Sequence, residues 1–234
     1  MTNIARNIEA VLQRIHTACE KSGRPVDSVV LLAVSKTVSP EAIREAITAG
    51  QRDFGENYIA EGVEKIVALQ AETAQFGLQW HCIGPVQSNK TRLVAEHFDW
   101  VHSVDRLKTA QRLNEQRPPN AKPLQVCIQV NIDGGPTKSG VTPAEVLAFA
   151  QEIVKLPRLK LRGLMTIPEP VSDATDLIAA QAIHTPARAL FDDLIRRGFD
   201  LDTLSIGMSA DLEPAIYAGS TMVRVGTAIF GRRA

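Results

Sequence analysis

Cysteine is scarce in this chain. There are three, Cys19, Cys82 and Cys127, in 234 residues. An odd number at wide spacing supplies neither a disulfide framework nor a metal or redox pair. Free buried thiols in a reducing cytosol are the expectation. Net charge is missing as well: Lys plus Arg number 26 and Asp plus Glu number 26. With no like-charge block, nothing electrostatic calls for nucleic acid or an anionic membrane as partner. Long apolar runs are absent, so no segment reads as a bilayer span. Charges interrupt "MTNIARNIEAVLQRIHTACEKSG", which excludes a signal peptide. A cytoplasmic protein is expected. Two nucleotide-binding signatures are also lacking. No G-x-G-x-x-G follows the first apolar run, and "DGGPTKSG" has no glycine directly before Lys138, as a P-loop requires. No His/Asp/Glu cluster has metal-ligand spacing.

What is present is an alternation. Ile4, Ile8, Val11, Leu12 and Ile15 follow helical spacing, so the chain opens with an amphipathic helix ending near Gly23. Short apolar runs then alternate with helical patterns. Strand one is Val29 to Ser35, with a helix from Ser39 and Pro40 to Gly50. "QRDFGEN" is strand two, with a helix from about Glu56 to Gln70. "LQWHCIG" is strand three, with Ser88 as N-cap of the next helix. "DWVHSV" is strand four, with Asp105 capping a helix through Asn114. "PLQVCIQVNI" is strand five, followed by the helix start Thr142, Pro143 and Glu145. "LKLRGLMTI" is strand six, followed by a long helical pattern from Asp173 to Arg197. "DTLSIGM" is strand seven, with a short helix over Asp211 to Ala218. "STMVRVG" is strand eight. Eight strand-then-helix units predict a parallel sheet covered by helices. Eight is the number that closes a (β/α)8 TIM barrel, here with an extra N-terminal helix and as one domain over residues 1–234. An open doubly wound sheet is the competing architecture.

In a βα barrel the active site lies at the C-terminal strand ends. Lys36 stands at the end of strand one. An amine there is partly desolvated, which disfavours the ammonium and frees the amine to attack a carbonyl. A lysine that snorkels to solvent, or pairs with Glu56, is the alternative. "SIGMSAD" and "RVGTAIFG" follow strands seven and eight, where barrels commonly bind phosphate. Gly207 and Gly226 let backbone N–H groups approach an anion, and Ser209 and Thr227 add hydroxyls. Tight-turn glycines are the alternative. An amine facing a phosphate cradle suits a ligand with an aldehyde at one end and a phosphate at the other. Pyridoxal 5'-phosphate (PLP) fits, and so does a sugar-phosphate aldolase substrate. Arg224, two residues before Gly226, shares its strand face and could contact a pyridine nitrogen, keeping it unprotonated. Arg224 paired with a neighbouring carboxylate is the alternative. His81 beside Cys82 cannot easily form a nucleophilic pair, because adjacent strand residues face opposite ways. His81 is the better pocket candidate of the two.

The motifs "LLAVSKT", "FGENY", "WHCIGPVQSNK", "HSVDR", "LRGLMTI", "LSIGMSAD" and "STMVRVGTAIFG" resemble the YggS/PROSC family of PLP homeostasis proteins over nearly the whole chain. That family is similar to the barrel domain of alanine racemase. The resemblance implies that Lys36 forms an internal aldimine with PLP. It implies that Ser209, Gly226 and Thr227 hold the phosphate and that Arg224 faces the pyridine nitrogen. Asn57, His81, Ile83, Met165 and Met208 would line the pocket. The loop "GGPT" is the least family-like part and reads as a tolerant surface loop. The implied role is binding PLP and related B6 vitamers, and delivering PLP to dependent apo-enzymes, rather than catalysis. A small PLP-dependent amino-acid racemase is the other reading. Two-base racemisation needs an acid/base on each face of the cofactor. The resemblance implies that racemases take the second base, a tyrosine, from a further β domain of a partner subunit. The chain reaches Ala234 just past the eighth unit, leaving no room for that domain, and its tyrosines are Tyr58 and Tyr217. A monomer is therefore expected.

Overall fold

The computed structural model describes residues 3–170 and 177–231. Helix α1 (Asn3–Lys21) opens the chain and buries Ile8, Val11 and Ile15, the stripe its spacing predicts. Eight parallel strands follow: β1 (Val30–Val34), β2 (Asp53–Glu56), β3 (Gln79–Cys82), β4 (Trp100–Val104), β5 (Leu124–Val130), β6 (Leu159–Thr166), β7 (Thr203–Met208) and β8 (Met222–Val225). They pair in chain order and close, with Leu32 of β1 beside Arg224 of β8. The fold is the expected TIM barrel with an added N-terminal helix. The covering helices are α2 (Pro40–Thr48), α3 (Ile59–Ala68), α4 (Gln70–Phe76), α5 (Thr91–His97), α6 (Leu107–Gln116), α7 (Val146–Ile153), α8 (Leu177–Ala182), α9 (Thr185–Arg196), α10 (Leu212–Tyr217) and α11 (Thr227–Phe230).

The main core lies between the strands and this helical layer. Leu31, Ala33, Phe54, Trp80, Val101 and Val126 point outward into it. Their strand neighbours at odd steps point into the barrel, since side chains alternate across a strand. Local chemistry accounts for several boundaries. Ser39 Oγ accepts from the Ala42 N–H at 3.4 Å and Pro40 stands at the start of α2. Thr142 and Glu145 close a capping box through one 3₁₀ turn before α7.

Other boundaries differ from expectation. Glu56 remains in β2, and α3 starts only at Ile59. A further helix, α4, then runs to Gly77, whose φ of 67° ends it. Ser88 does not cap α5. The Lys90 N–H bonds the Gln87 carbonyl, so Ser88 sits inside a turn and the helix begins at Thr91. Asp105 turns to Arg106, 3.3 Å away, instead of capping α6. The long pattern from Asp173 to Arg197 is two helices. Pro186 at the start of α9 has no N–H to continue α8, and the Asp173 to Asp176 part lies outside the described residues. Among the described residues no helix is long and apolar enough to cross a membrane. All three cysteines are free and buried.

Helix α1 packs beside α2, α10 and α11 and also bonds the last two. Arg14 grips Glu213 of α10 through two bonds of 2.7 and 2.8 Å and donates to the Ser209 carbonyl at 3.2 Å. Asn7 donates to the Ile229 carbonyl of α11 at 2.8 Å. The Arg14 bond holds the Glu213 carboxyl below its ordinary range. The pair is about one-third exposed, with side chains 37% and 32% accessible. Arg14→Ala should therefore cost only about 0.5–1 kcal/mol at neutral pH. A depressed folded pKa gives stability that is present above the unfolded carboxylate range and lost as pH falls through the folded one. Thermal unfolding should show the gap between variant and wild type closing in acid. A gap that widens there would contradict the assignment.

Candidate functional site

A cavity of about 380 Å³ opens at the C-terminal end of the barrel. That volume lies in the range of small-molecule sites. Its polar lining comes from Lys36, Asn57, Ser209, Arg224, Gly226 and Thr227. Val34, Ile83, Ile167 and Met208 provide apolar walls. No carboxylate and no histidine lines it among the described residues. A second concavity of about 590 Å³ is lined by Arg162, Arg117 and Trp100 at the N-terminal ends of β4 and β5. Its two arginines are already engaged. Arg162 forks onto Asp202 and covers the Trp100 ring at 4.6 Å, and Arg117 donates to the Ala95 and Phe98 carbonyls.

Lys36 follows β1 in a turn that other groups hold on both sides. Ser35, with no exposed surface, donates its hydroxyl to Glu56 Oε1 at 2.6 Å. Thr37 has φ of 61°, a left-handed conformation rare for a β-branched residue. Its N–H donates to Glu61 Oε1 at 2.5 Å. Lys65 of α3 joins the two acids: its ammonium meets Glu56 at 3.0 Å, Glu61 at 2.5 Å and the Ser35 carbonyl at 2.7 Å. So Glu56 pairs with Lys65 beneath α3, not with Lys36. Burial raises the Glu56 carboxyl, opposed by the Ser35 and Lys65 bonds. Breaking such a pair on one side leaves a buried uncompensated charge.

Arg224 is 5% exposed and its guanidinium is satisfied by neutral acceptors. Nη1 donates to the Ser205 carbonyl at 2.6 Å and to Ser205 Oγ at 2.8 Å, and Nη2 donates to the Thr166 carbonyl at 2.9 Å. No ion pair joins it to a carboxylate among the described residues. Burial pushes its pKa down to about 10, so it stays charged at neutral pH.

The loop after β7 is built around Gly207. Its φ is 92°, and a Cβ there would stand 2.4 Å from the Ala215 methyl of α10. Asp211 ties the loop down. One oxygen accepts the Met208 N–H at 2.7 Å and the other meets His184 Nε2 at 2.9 Å. Burial alone would raise the Asp211 carboxyl, but these bonds hold it below its usual range. After β8, Gly226 precedes α11, whose first N–H groups have no acceptor within the helix. Asn57 Oδ1 is buried without a hydrogen-bond partner. Gly84 lies against its backbone, where a Cβ would approach the Asn57 carbonyl to 2.1 Å.

The structure brings Lys36, Asn57, Ile83, Met208, Ser209, Arg224, Gly226 and Thr227 together around the cavity. It does not bring His81 and Met165 there. His81 is fully buried one level deeper, stacked on Trp100 at 5.1 Å, and Met165 packs with Trp100 and Cys127. The same-face residues one level higher, Ile83 and Ile167, take the lining positions. Val34, two residues before Lys36, was findable from the same period of two. Nothing local in the sequence announces Arg14, Lys65, His184 or Ser205 as supports of the site. Tyr58 is 58% exposed at the start of α3 and Tyr217 ends α10, and neither lines the cavity. The "GGPT" loop is partly fastened: Lys138 bonds Asp133 at 2.6 Å and Glu169 at 3.0 Å. No group of His, Cys, Asp or Glu able to hold a metal occurs among the described residues.

The model of the alanine racemase N-terminal domain family matches residues 3–234. A pyridoxal phosphate homeostasis protein of Vibrio cholerae serotype O1 is 55% identical over 233 residues, covering 100% of this chain and 98% of that protein. The chain belongs to the pyridoxal phosphate homeostasis protein family. A member from Escherichia coli K12 is 52% identical, with 100% of this chain and 98% of the other covered. Among solved structures, PipY of Synechococcus elongatus PCC7942 with PLP bound is 37% identical at a TM-score of 0.79, covering 97% of this chain and 100% of that one. Alanine racemase of Corynebacterium glutamicum, at 18% identity and a TM-score of 0.65, covers 99% of this chain and 60% of its own and shares the fold.

Lys65→Met should destabilise the protein by about 3–5 kcal/mol in denaturant unfolding, because Glu56 is left buried without its cation. Adding Glu56→Gln should recover much of that loss. A single variant as stable as wild type would show that the pair is not a support.

Proposed function

We propose that this chain binds PLP in the cavity at the C-terminal end of the barrel, as one PLP-binding domain, and holds it through Lys36. The observation that carries the reading is that one cavity is lined by an amine and by a buried guanidinium hydrogen-bonded to neutral acceptors. The residues present fit the cofactor. Lys36 offers a primary amine to an aldehyde. Arg224, which can only donate, suits an unprotonated pyridine nitrogen. Ser209, Thr227 and the N–H groups around Gly226 suit a phosphate. The unpartnered Asn57 Oδ1 offers an acceptor inside the cavity. Val34, Ile83, Ile167 and Met208 suit the faces of a ring. When bound, PLP supplies an aldehyde and an electron-withdrawing ring.

The role proposed is homeostatic: holding PLP, and B6 vitamers of similar shape, and delivering PLP to apo-enzymes that need it. The lining supports binding over turnover. Racemisation or transamination needs a placed acid/base, and beyond Lys36 and Arg224 no titratable side chain lines the cavity among the described residues. An arginine at the pyridine nitrogen also weakens the ring as an electron sink. Three free buried cysteines support a reducing cytoplasmic setting, and Cys82 and Cys127 are pushed up to about 12 by burial, which keeps them inert. A monomer is proposed.

Added PLP should give a visible imine absorbance that Lys36→Ala abolishes while thermal unfolding stays cooperative. A Lys36→Ala protein that fails to fold would make the lysine structural instead. Arg224→Ala should lower PLP retention with Lys36 still reactive. Retention equal to wild type would remove Arg224 from the site. Transfer of PLP from the loaded protein to an apo-enzyme, with free PLP trapped, tests delivery. Lys36-dependent turnover of an amino acid would overturn the non-catalytic reading.

A further inference from the structure

A TIM barrel interior is ordinarily filled by layers of branched apolar side chains. Below this cavity a row of polar groups crosses it instead. Asp53 Oδ1 lies 3.1 Å from His81 Nε2, and His81 Nδ1 lies 3.0 Å from His102 Nε2. His102 Nδ1 lies 3.0 Å from Ser205 Oγ, which accepts from Arg224 Nη1 at 2.8 Å. His81, His102 and Ser205 are each 0% exposed. Polar groups in such a place are costly unless bonded, and here each is bonded to the next.

We propose that Asp53, His81, His102 and Ser205 form a one-directional hydrogen-bond relay that positions Arg224 and balances its charge from the far mouth of the barrel. The proposal deepens the PLP reading and rests on it only for the identity of the ligand. A guanidinium can only donate and a carboxylate can only accept. Each group between them has one donor and one acceptor to give when the imidazoles are neutral. One arrangement satisfies all four bonds: Arg224 donates to Ser205, Ser205 to His102, His102 to His81, and His81 to Asp53. Both rings then carry their proton on Nε2. The surroundings of His102 agree: burial first, and the charge of Arg224 beyond Ser205, hold it well below its ordinary range.

The row explains how Arg224 is held in place with no carboxylate hydrogen-bonded to it among the described residues; the charge of Asp211 nearby also favours the guanidinium. Asp53, with a side chain 26% exposed, is the anionic end, and the oriented dipoles between carry its effect inward. Trp100, stacked on His81 at an interplanar angle of 12°, fixes the ring plane. These four are positioning residues. They do not line the cavity, and they act on a ligand through Arg224.

The test uses ¹⁵N NMR of the full chain with labelled histidine, assigned with single histidine variants, before and after PLP is added. Both His81 and His102 should be Nε2–H tautomers at neutral pH without PLP. Ser205→Ala removes the hydroxyl donor to His102 Nδ1. It should mix the His102 tautomers and lower PLP retention several-fold, with Lys36 still forming its imine. Asp53→Asn keeps an acceptor and removes the charge. It should keep the tautomers and lower retention, and it carries the test if Ser205→Ala does not fold. An Nδ1–H tautomer or an imidazolium at either ring overturns the relay. So does wild-type retention in both variants. If no variant and no wild type binds PLP, the function reading falls, while the tautomers still decide the relay.

Discussion

Burying a guanidinium costs several kcal/mol unless its N–H groups are met. Arg224 meets that demand with two carbonyls and a hydroxyl. Each acceptor comes from a strand on its own side of the barrel: Ser205 from β7 and Thr166 from β6. The carbonyl of Thr166 is available because β6 ends there, and Ser205, paired with Met222, lies on the neighbouring strand β7. A register shift beyond Ser205 sets Met208 opposite Arg224. The placement of the cavity wall, the interior polar row and the loop after β7 thus follow from accommodating one cation.

The two sides of the cavity are held in different ways. On the lysine side, Lys65 and Glu61 of α3 and Glu56 of β2 form an ion-pair cluster, and a left-handed Thr37 is stabilised by Glu61. On the opposite side, α1 and α9 supply the clamps, through Arg14, Asn7 and the His184–Asp211 pair. Rigid supports of this kind keep a loop site within the tolerance that ligand recognition requires.

Much of this was legible in the sequence, and the limits are physical. The βα alternation was readable because parallel strands buried on both faces are continuous apolar runs. Lys36, Arg224 and the glycine loops were readable because a strand end is a definite place. Depth was not readable. A period of two assigns a face but not a level, so His81 was expected beside Ile83 at the cavity, and Met165 where Ile167 stands. Level depends on barrel stagger and on register shifts such as that between Val126 and Cys127. Nor was partnership readable. Glu56 turns from the cavity to Lys65 because adjacent strand residues face opposite ways, and no local pattern ties His102 to Ser205, 103 residues away.

The contacts of α1 bear on how the site comes into being. Arg14 meets residues 195 and 199 positions later, and Asn7 meets one 222 positions later. Closure of the barrel likewise joins β1 to β8. Contacts of such separation form late, since loop-closure entropy must be met first. During synthesis, the contacts of the first helix with α10 and α11 wait for those last elements. Lys36 therefore emerges long before the loops after β7 and β8 that line the same cavity. Formation of the cavity is in this way coupled to completion of the fold.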